Sequence, residues 1–353
     1  MMRRRAPPPP PPAAVPGPAD NAADGGCGHV PVLVAAVVDA LSPRAGGLYV
    51  DGTFGAGGYA RALLAAADCR VIAIDRDPDA VRRARALACG QDGRLAVVEG
   101  SFGDMERLLT PAALGPMAPG PIAGIALDLG VSSIQLDSAA RGFSFRLDGP
   151  LDMRMSRTGQ SAADLVAVLA EDDLARLIHD FGEERFARRI ARAIVAARQR
   201  QPIQRTLELA RVIRAAVPRV EPGLDPATRT FQALRITVND ELGELDRGLE
   251  AAERQLMPGG RLAIVSFHSL EDRRVKNFLR RRSDTAPRAS RHDPIPAAAA
   301  APTFWLPHRR PIKPRAEEIA RNPRSRAARL RVAERTAAPP WPPDHGPPQR
   351  NAA

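Results

Sequence analysis

Cysteine is scarce in this 353-residue chain, and lysine is scarcer still. Cys27, Cys69 and Cys89 are its only thiols and lack any paired metal-ligand spacing, which argues against a zinc module and fits a reducing compartment. Six scattered histidines form no recognisable ligand set, so no metal is expected. No apolar run approaches the length of a membrane span. The N-terminus has basic Arg3 to Arg5 but then Pro7 to Pro12, where a signal peptide needs an apolar helix. These absences point to a soluble cytoplasmic protein with no membrane partner.

Lysine occurs only at Lys276 and Lys313, leaving 49 arginines. Arginine suits bidentate phosphate contacts and base stacking. A GC-rich coding sequence would produce the same bias, and abundant Ala and Pro suggest one. Codon bias does not explain clustering, however. Arg273 to Arg335 carries 18 Lys+Arg against 5 Asp+Glu, so a formal charge of +11 becomes −2 over the rest of the chain. A basic C-terminal segment implies a polyanionic partner.

Residues 1–27 and those from Thr336 to the end are Pro/Ala-rich and read as disordered tails, and 284–302 as a mobile loop. Between them, strand and helix signals alternate up to about Leu129. Leu48 to Val50, Arg70 to Ile74, Arg94 to Val98 and Ile122 to Leu127 read as buried strands. Asp77-Pro78 opens a helix to about Cys89. From 138 to 226 the pattern is helical, with segments at Ala163–Ala170, Asp172–Asp180, Glu184–Arg198 and Thr206–Ala216. Within the third, Phe186, Ile190 and Ile194 share one face, and Arg188, Arg189 and Arg192 lie mostly off it. That basic face is either solvated or an RNA contact. Strand patterning returns at Leu262 to Val265 after a Pro258-Gly259-Gly260 turn, and Ala327 to Val332 reads as a last strand. The expected fold is α/β: a mostly parallel, Rossmann-like sheet domain (28–137 and 227–335) with an inserted all-helical domain (138–226).

The chemistry concentrates in Tyr49-Val-Asp-Gly-Thr-Phe-Gly-Ala-Gly-Gly58. Its glycines allow a sharp turn and close ligand approach. Gly55-Ala-Gly-Gly-Tyr-Ala60 fits a loose dinucleotide fingerprint, with Asp75 about twenty residues on for a ribose diol. Glycines serving only a tight turn would look the same. Asp51 changes the ligand: a carboxylate there is unhelpful to a pyrophosphate and suits an ammonium or sulfonium. S-adenosylmethionine carries both, plus a ribose. The loop therefore favours methyl transfer over a nicotinamide-dependent oxidoreductase.

Longer blocks extend the match. Gly52-Thr-Phe-Gly-Ala-Gly-Gly58, Ala73-Ile-Asp-Arg-Asp-Pro78, Leu127-Asp-Leu-Gly-Val-Ser-Ser133, Arg141-Gly-Phe-Ser-Phe145 and Gly149-Pro-Leu-Asp-Met-Arg-Met155 occur in order. Phe181 to Ala187, Ala227-Thr-Arg-Thr-Phe-Gln232, Ser266-Phe-His-Ser-Leu-Glu-Asp272 and Asn322-Pro-Arg324 follow. Together they resemble the ribosomal RNA small subunit methyltransferase H family, from about His29 to Arg335. The resemblance implies a class I S-adenosylmethionine-dependent methyltransferase fold and N4-methylation of a cytidine in the decoding region of 16S rRNA, near the P site. It implies cofactor contacts at Gly57, Gly58 and Tyr59, at Asp75 on the ribose, at Phe102 and Asp128 near the adenine and active site, and at Gln135; Asp51 and Gly55 join them from the loop reading. Tyr59 and Ile134 replace a common His and Pro of the family.

Asp128, at the carboxyl end of the fourth strand, is the expected acceptor for the target amine; a strand-end cap or a purely cofactor-binding group is its other reading. Ser132 and Ser133 could hold the base, and His268 could contact it, carry a proton, or serve only in packing. Phe143 and Phe145 could stack on an extruded base or simply pack in a core. The amino-methyltransferase motif Asp/Asn/Ser-Pro-Pro-aromatic is absent, so base-binding geometry does not transfer from enzymes that have it. The basic segment and insert helices would bind 16S rRNA in the small ribosomal subunit. A non-catalytic rRNA-binding assembly factor is a further alternative, and monomer and dimer both stay open.

Overall fold

The computed structural model describes residues 31–114, 120–218, 223–283 and 301–342; the tail at 1–27, nearly all of the expected loop at 284–302, and 343–353 lie outside them. Helix α1 (Val34–Leu41) leads into strand β1 (Leu48–Asp51), then α2 (Gly58–Ala66), β2 (Arg70–Asp75), α3 (Pro78–Ala88) and β3 (Leu95–Glu99). Short α4 (Met105–Leu108) and α5 (Pro111–Leu114) lead to β4 (Ile122–Asp128) and α6 (Ser133–Asp137). A helical run follows: α7 (Ala162–Val168), α8 (Glu171–Gly182), α9 (Ala187–Arg198), α10 (Thr206–Ala216), α11 (Ala227–Asn239) and α12 (Glu241–Gln255). The chain closes with β5 (Leu256–Ser266), α13 (Ser269–Arg281), β6 (Phe304–Trp305), α14 (Ala316–Arg321) and β7 (Arg329–Arg335).

The sheet order is β3-β2-β1-β4-β5-β7-β6. Strands β1 to β5 are parallel, whereas β7 runs antiparallel to both β5 and β6. Parallel strands are covered on both faces, which is why they read as continuous apolar runs. Val50, Ile72, Ile125 and Leu127 are fully buried beneath α4, α12 and α13. Tyr49, Val71, Ala73 and Ala126 face α1, α2 and α3 on the other side. Each large apolar side chain so buried stabilises the fold by about 1.5–3 kcal/mol. The Pro258 turn is a bulge inside β5: Ile122 pairs with Leu256 but Gly124 with Arg261. Strand β6 is too short, at two residues, to leave a periodic signal.

The helices from α7 to α11 bury their own apolar cluster around Leu174, Ile178, Ile190, Ile194 and Ile213. Ala227, Phe231 and Leu234 of α11, beyond position 226, pack into it as well. Within α9, Ile190 and Ile194 are buried and Arg188, Arg189 and Arg192 exposed. The expected tail from Thr336 starts too early. Thr336 N–H donates to Thr303 O at 2.9 Å, and Trp341 stacks on the Arg282 guanidinium, 4.6 Å from its ring centre. A lone tryptophan in a Pro-rich stretch carries no periodicity that would announce this contact.

One buried ionic knot fastens the helical body to the sheet. Arg141 donates to Asp77 Oδ2 at 2.7 Å and to the carbonyls of Arg154 and Met155 at 2.9 Å each. Its neighbour Gly142 has φ +71°, and a Cβ there would lie 2.2 Å from Pro150 O. Only glycine fits that crossing.

Candidate active site

Three neighbouring strands each end in an aspartate: β2 in Asp75, β1 in Asp51 and β4 in Asp128. Because the chain order reverses between β1 and β4, their carboxyl ends open a crevice, the usual ligand position in such sheets. A cavity of about 360 Å³ lies there, lined by all three aspartates, the loop residues Gly55, Gly58 and Tyr59, and Phe102, Ser132, Gln135 and His268. Gly57 is the exception among the expected cofactor contacts. It does not line the cavity but turns the chain at φ +82° with its Cβ position 2.5 Å from the Phe54 ring.

Local hydrogen bonding explains how each group is held. Asp51 is 1% exposed and accepts from Thr53 N–H at 3.3 Å and Ala60 N–H at 3.1 Å. Asp75 accepts from Gly55 N–H at 2.7 Å and Asp77 N–H at 2.8 Å, shaping the glycine loop from the next strand. Thr53 accepts the Asp128 N–H at 2.6 Å. The Tyr59 hydroxyl donates to Val32 O at 2.7 Å, so its side chain is tied to the N-terminal segment and only its wall faces the cavity. Gln135 donates to Asp77 at 2.7 Å and accepts from Ser132 N–H at 2.9 Å. Ser132 caps α6 by accepting from Gln135 N–H at 3.3 Å.

None of the three strand-end aspartates has an ion-pair partner among the described residues. Burial pushes the Asp51 carboxyl up to about 7, against hydrogen bonds from Thr53 and Ala60. Burial likewise raises Asp75 to about 6. Asp128 is driven well above the carboxylate range by burial, then by the charges of Asp51 and Glu271. Its Oδ1 is buried with no hydrogen-bond partner. Such uncompensated acids disfavour a pyrophosphate and favour a cation that lowers the cost of ionising them.

The far wall comes from β5 and the helical body. His268 Nε2 lies 3.0 Å from Glu271 Oε1, and its Nδ1 is buried without a partner. Glu271 Oε2 accepts from Phe267 N–H at 2.8 Å. Burial opposes its charge, but the His268 contact and Arg235 hold its carboxyl below the usual range. Arg235 is bidentate to Glu241 at 2.7 and 2.9 Å. Ligand atoms of Glu241, His268 and Glu271 come within 4.8 Å of one another, a grouping invisible in the scattered sequence positions. The Arg235 guanidinium already supplies positive charge to it.

Of the two readings of Phe143 and Phe145, packing in a core is the one the fold follows. Phe143 and Phe145 line the helical core and not the cavity: Phe143 is 5% exposed, and Phe145 packs edge-on to Phe231 at 4.9 Å between ring centres. Conversely, Arg235, Glu241 and Glu244 were not singled out from sequence, because they sit on helices whose polar residues look like ordinary surface. Glu271 stood three residues after His268, a capping-box spacing that could have marked it.

The strand order with its antiparallel seventh strand, and the acid-lined crevice at the reversal, define a class I methyltransferase architecture. Residues 26–336 match the model of the MraW methylase family, and the chain belongs to that family. It is 58% identical over 314 residues to the ribosomal RNA small subunit methyltransferase H of Paramagnetospirillum magneticum, covering 89% of this chain and 97% of that one. Against the protein of the same name from Rhodospirillum centenum it is 61% identical over 323 residues, covering 92% and 97%. Among solved structures, a putative rRNA-methylase from Clostridium thermocellum is similar with a TM-score of 0.40 at 10% identity, over 88% of this chain and 99% of that one. No helix among the described residues is long and apolar enough to cross a membrane.

Proposed function

We propose that this protein transfers a methyl group from S-adenosylmethionine to the N4 amine of a cytidine in the decoding region of 16S rRNA, acting on the small subunit in the cytoplasm. The observation that carries the cofactor half is the trio of aspartates at the β1/β4 crevice, Asp51 buried and Asp75 and Asp128 half-buried, with no ion-pair partner among the described residues. The family and the names of its relatives support the rRNA half.

S-adenosylmethionine, when bound, supplies an already activated methyl group. Asp75 is suited to accept from the ribose hydroxyls, and Asp51 presents negative charge to the ammonium or sulfonium. Gly55, Gly58 and the Tyr59 wall allow close approach, with Phe102 at the adenine end. The cytosine amine is a weak nucleophile because its lone pair is delocalised into the ring. Asp128 Oδ1, lacking any protein donor, accepts a hydrogen bond from that amine, helps rehybridise it and takes up developing positive charge. His268, which lines the same cavity, is the candidate to carry the released proton, with Glu271 Oε1 3.0 Å from its Nε2 to orient it. Ser132 holds the loop through the α6 cap. The enzyme's main contribution is alignment of amine, methyl and sulfur.

The test is mass spectrometry of cytidines from small-subunit RNA incubated with the protein and isotope-labelled cofactor. Label on N4 is expected, and its absence there overturns the reading. Asp128→Asn should lower kcat by about 10²–10³-fold. Full activity in that variant would remove Asp128 from the mechanism.

A further inference from the structure

Lys276 on α13 and Lys313 before α14, the only lysines in the chain, line the same surface groove of about 600 Å³. Arg310, Arg329, Arg331 and Asp272 line it too. Asp272 is spent within the groove: it accepts from Arg329 at 2.7 Å and from Arg331 at 2.7 and 3.1 Å. Lys276, Arg310 and Lys313 are exposed and have no acidic partner among the described residues. Five cations thus face one carboxylate, and three of them are unpaid in charge.

The groove's position is as informative as its charge. Glu271 lines the methyl-transfer cavity, and the next residue, Asp272, lines the groove. Arg329 pairs across the ladder with Ser266, directly before the Phe267 and His268 that enter the cavity. A polyanion seated in the groove would therefore run past the cavity mouth at the carboxyl end of β5. The lysines fit such a role because an ammonium is a mobile point charge that meets phosphates at varied positions, whereas Arg329 and Arg331 are locked on Asp272.

We propose that the Lys276–Arg310–Lys313 groove binds the phosphate backbone of the RNA strand flanking the target cytidine. This rests on the rRNA reading of the active site. Each phosphate contact releases condensed counterions, contributing about 0.7 to the slope of log affinity against log salt for a single strand. Removing three cations should lower that slope by about 2.

The experiment uses the full chain, wild type and Lys276→Ala/Arg310→Ala/Lys313→Ala. Filter retention of a 16S rRNA transcript is measured over a salt series, alongside methyl transfer to small subunits lacking the modification and calorimetry with S-adenosylmethionine. The triple variant is expected to lose at least ten-fold in RNA affinity at physiological salt and to show the shallower slope, with KM for subunits raised and kcat and cofactor affinity kept. Lys276→Arg/Lys313→Arg should retain RNA binding. Unchanged affinity and slope in the triple variant would overturn the groove. If the wild type binds RNA through the groove but labels no cytidine, the active-site reading fails and the groove stands.

Discussion

Affinity for S-adenosylmethionine should rise steeply between pH 5.5 and 7.0, because a buried carboxyl must ionise to meet a cation. Asp51 carries the effect: burial pushes its carboxyl up to about 7 in the cofactor-free protein. At pH 5.5 about 3% of Asp51 is ionised, and at pH 7.0 about half, so a cofactor that binds the ionised form gains roughly 15-fold over this window. The cofactor's own amine stays mostly protonated up to about pH 7.5, which sets the upper end. Asp75, raised to about 6 by burial, adds to the rise in the same direction. Calorimetry across this pH range gives the affinity, and repeating it at pH 6 in two buffers of different ionisation enthalpy counts roughly one to one and a half protons released, about 0.9 from Asp51 and up to about 0.5 from Asp75. Asp51→Asn should remove most of the pH dependence and weaken binding at pH 7.0 by about 10–100-fold, the range for losing one charged hydrogen-bonding partner. The same shift has a stability consequence of opposite sign. A carboxyl whose native value lies above its unfolded one keeps an extra proton in the native state, so the cofactor-free protein loses stability as pH climbs from about 4 to about 7. Asp51→Asn should flatten that decline in melting temperature. Affinity that stays flat through the window, or tightens in acid, would refute the assignment of Asp51 to the cation.

Other perturbations probe the join between sheet and helices. Arg141→Ala strands buried Asp77 and two carbonyls and should cost about 3–5 kcal/mol in urea unfolding; a loss below 1 kcal/mol would mean the knot is dispensable. Gly142→Ala forces a Cβ to 2.2 Å from Pro150 O at positive φ and should cost about 2 kcal/mol or more by the same measure.

Much of the sheet was legible because its elements are local. Four strands from Leu48 to Asp128 and the first βα turns were readable from apolar runs, glycines and the Asp77-Pro78 helix start. The packing of the helical body was not. Helix α11 is amphipathic like its neighbours, and only packing shows its apolar face turned onto α8. Likewise only the fold shows that Phe143 is buried among the helices and Phe145 packs half-buried against Phe231. Asp51, Asp75 and Asp128 were each visible as strand-end acids, so part of the site could be named residue by residue.

What the sequence determined by itself is thus the set of strand ends and the glycine turn between them, since both follow from local sterics and a two-residue alternation or apolar run. Only the tertiary structure decided that three aspartates share one crevice without a counter-ion among the described residues, that Tyr59 and Gln135 spend their polar atoms on protein, and that two lysines 37 positions apart meet in one groove. Burial, charge and orphaned hydrogen-bonding atoms are properties of neighbours in space, and long-range packing alone sets which neighbours those are.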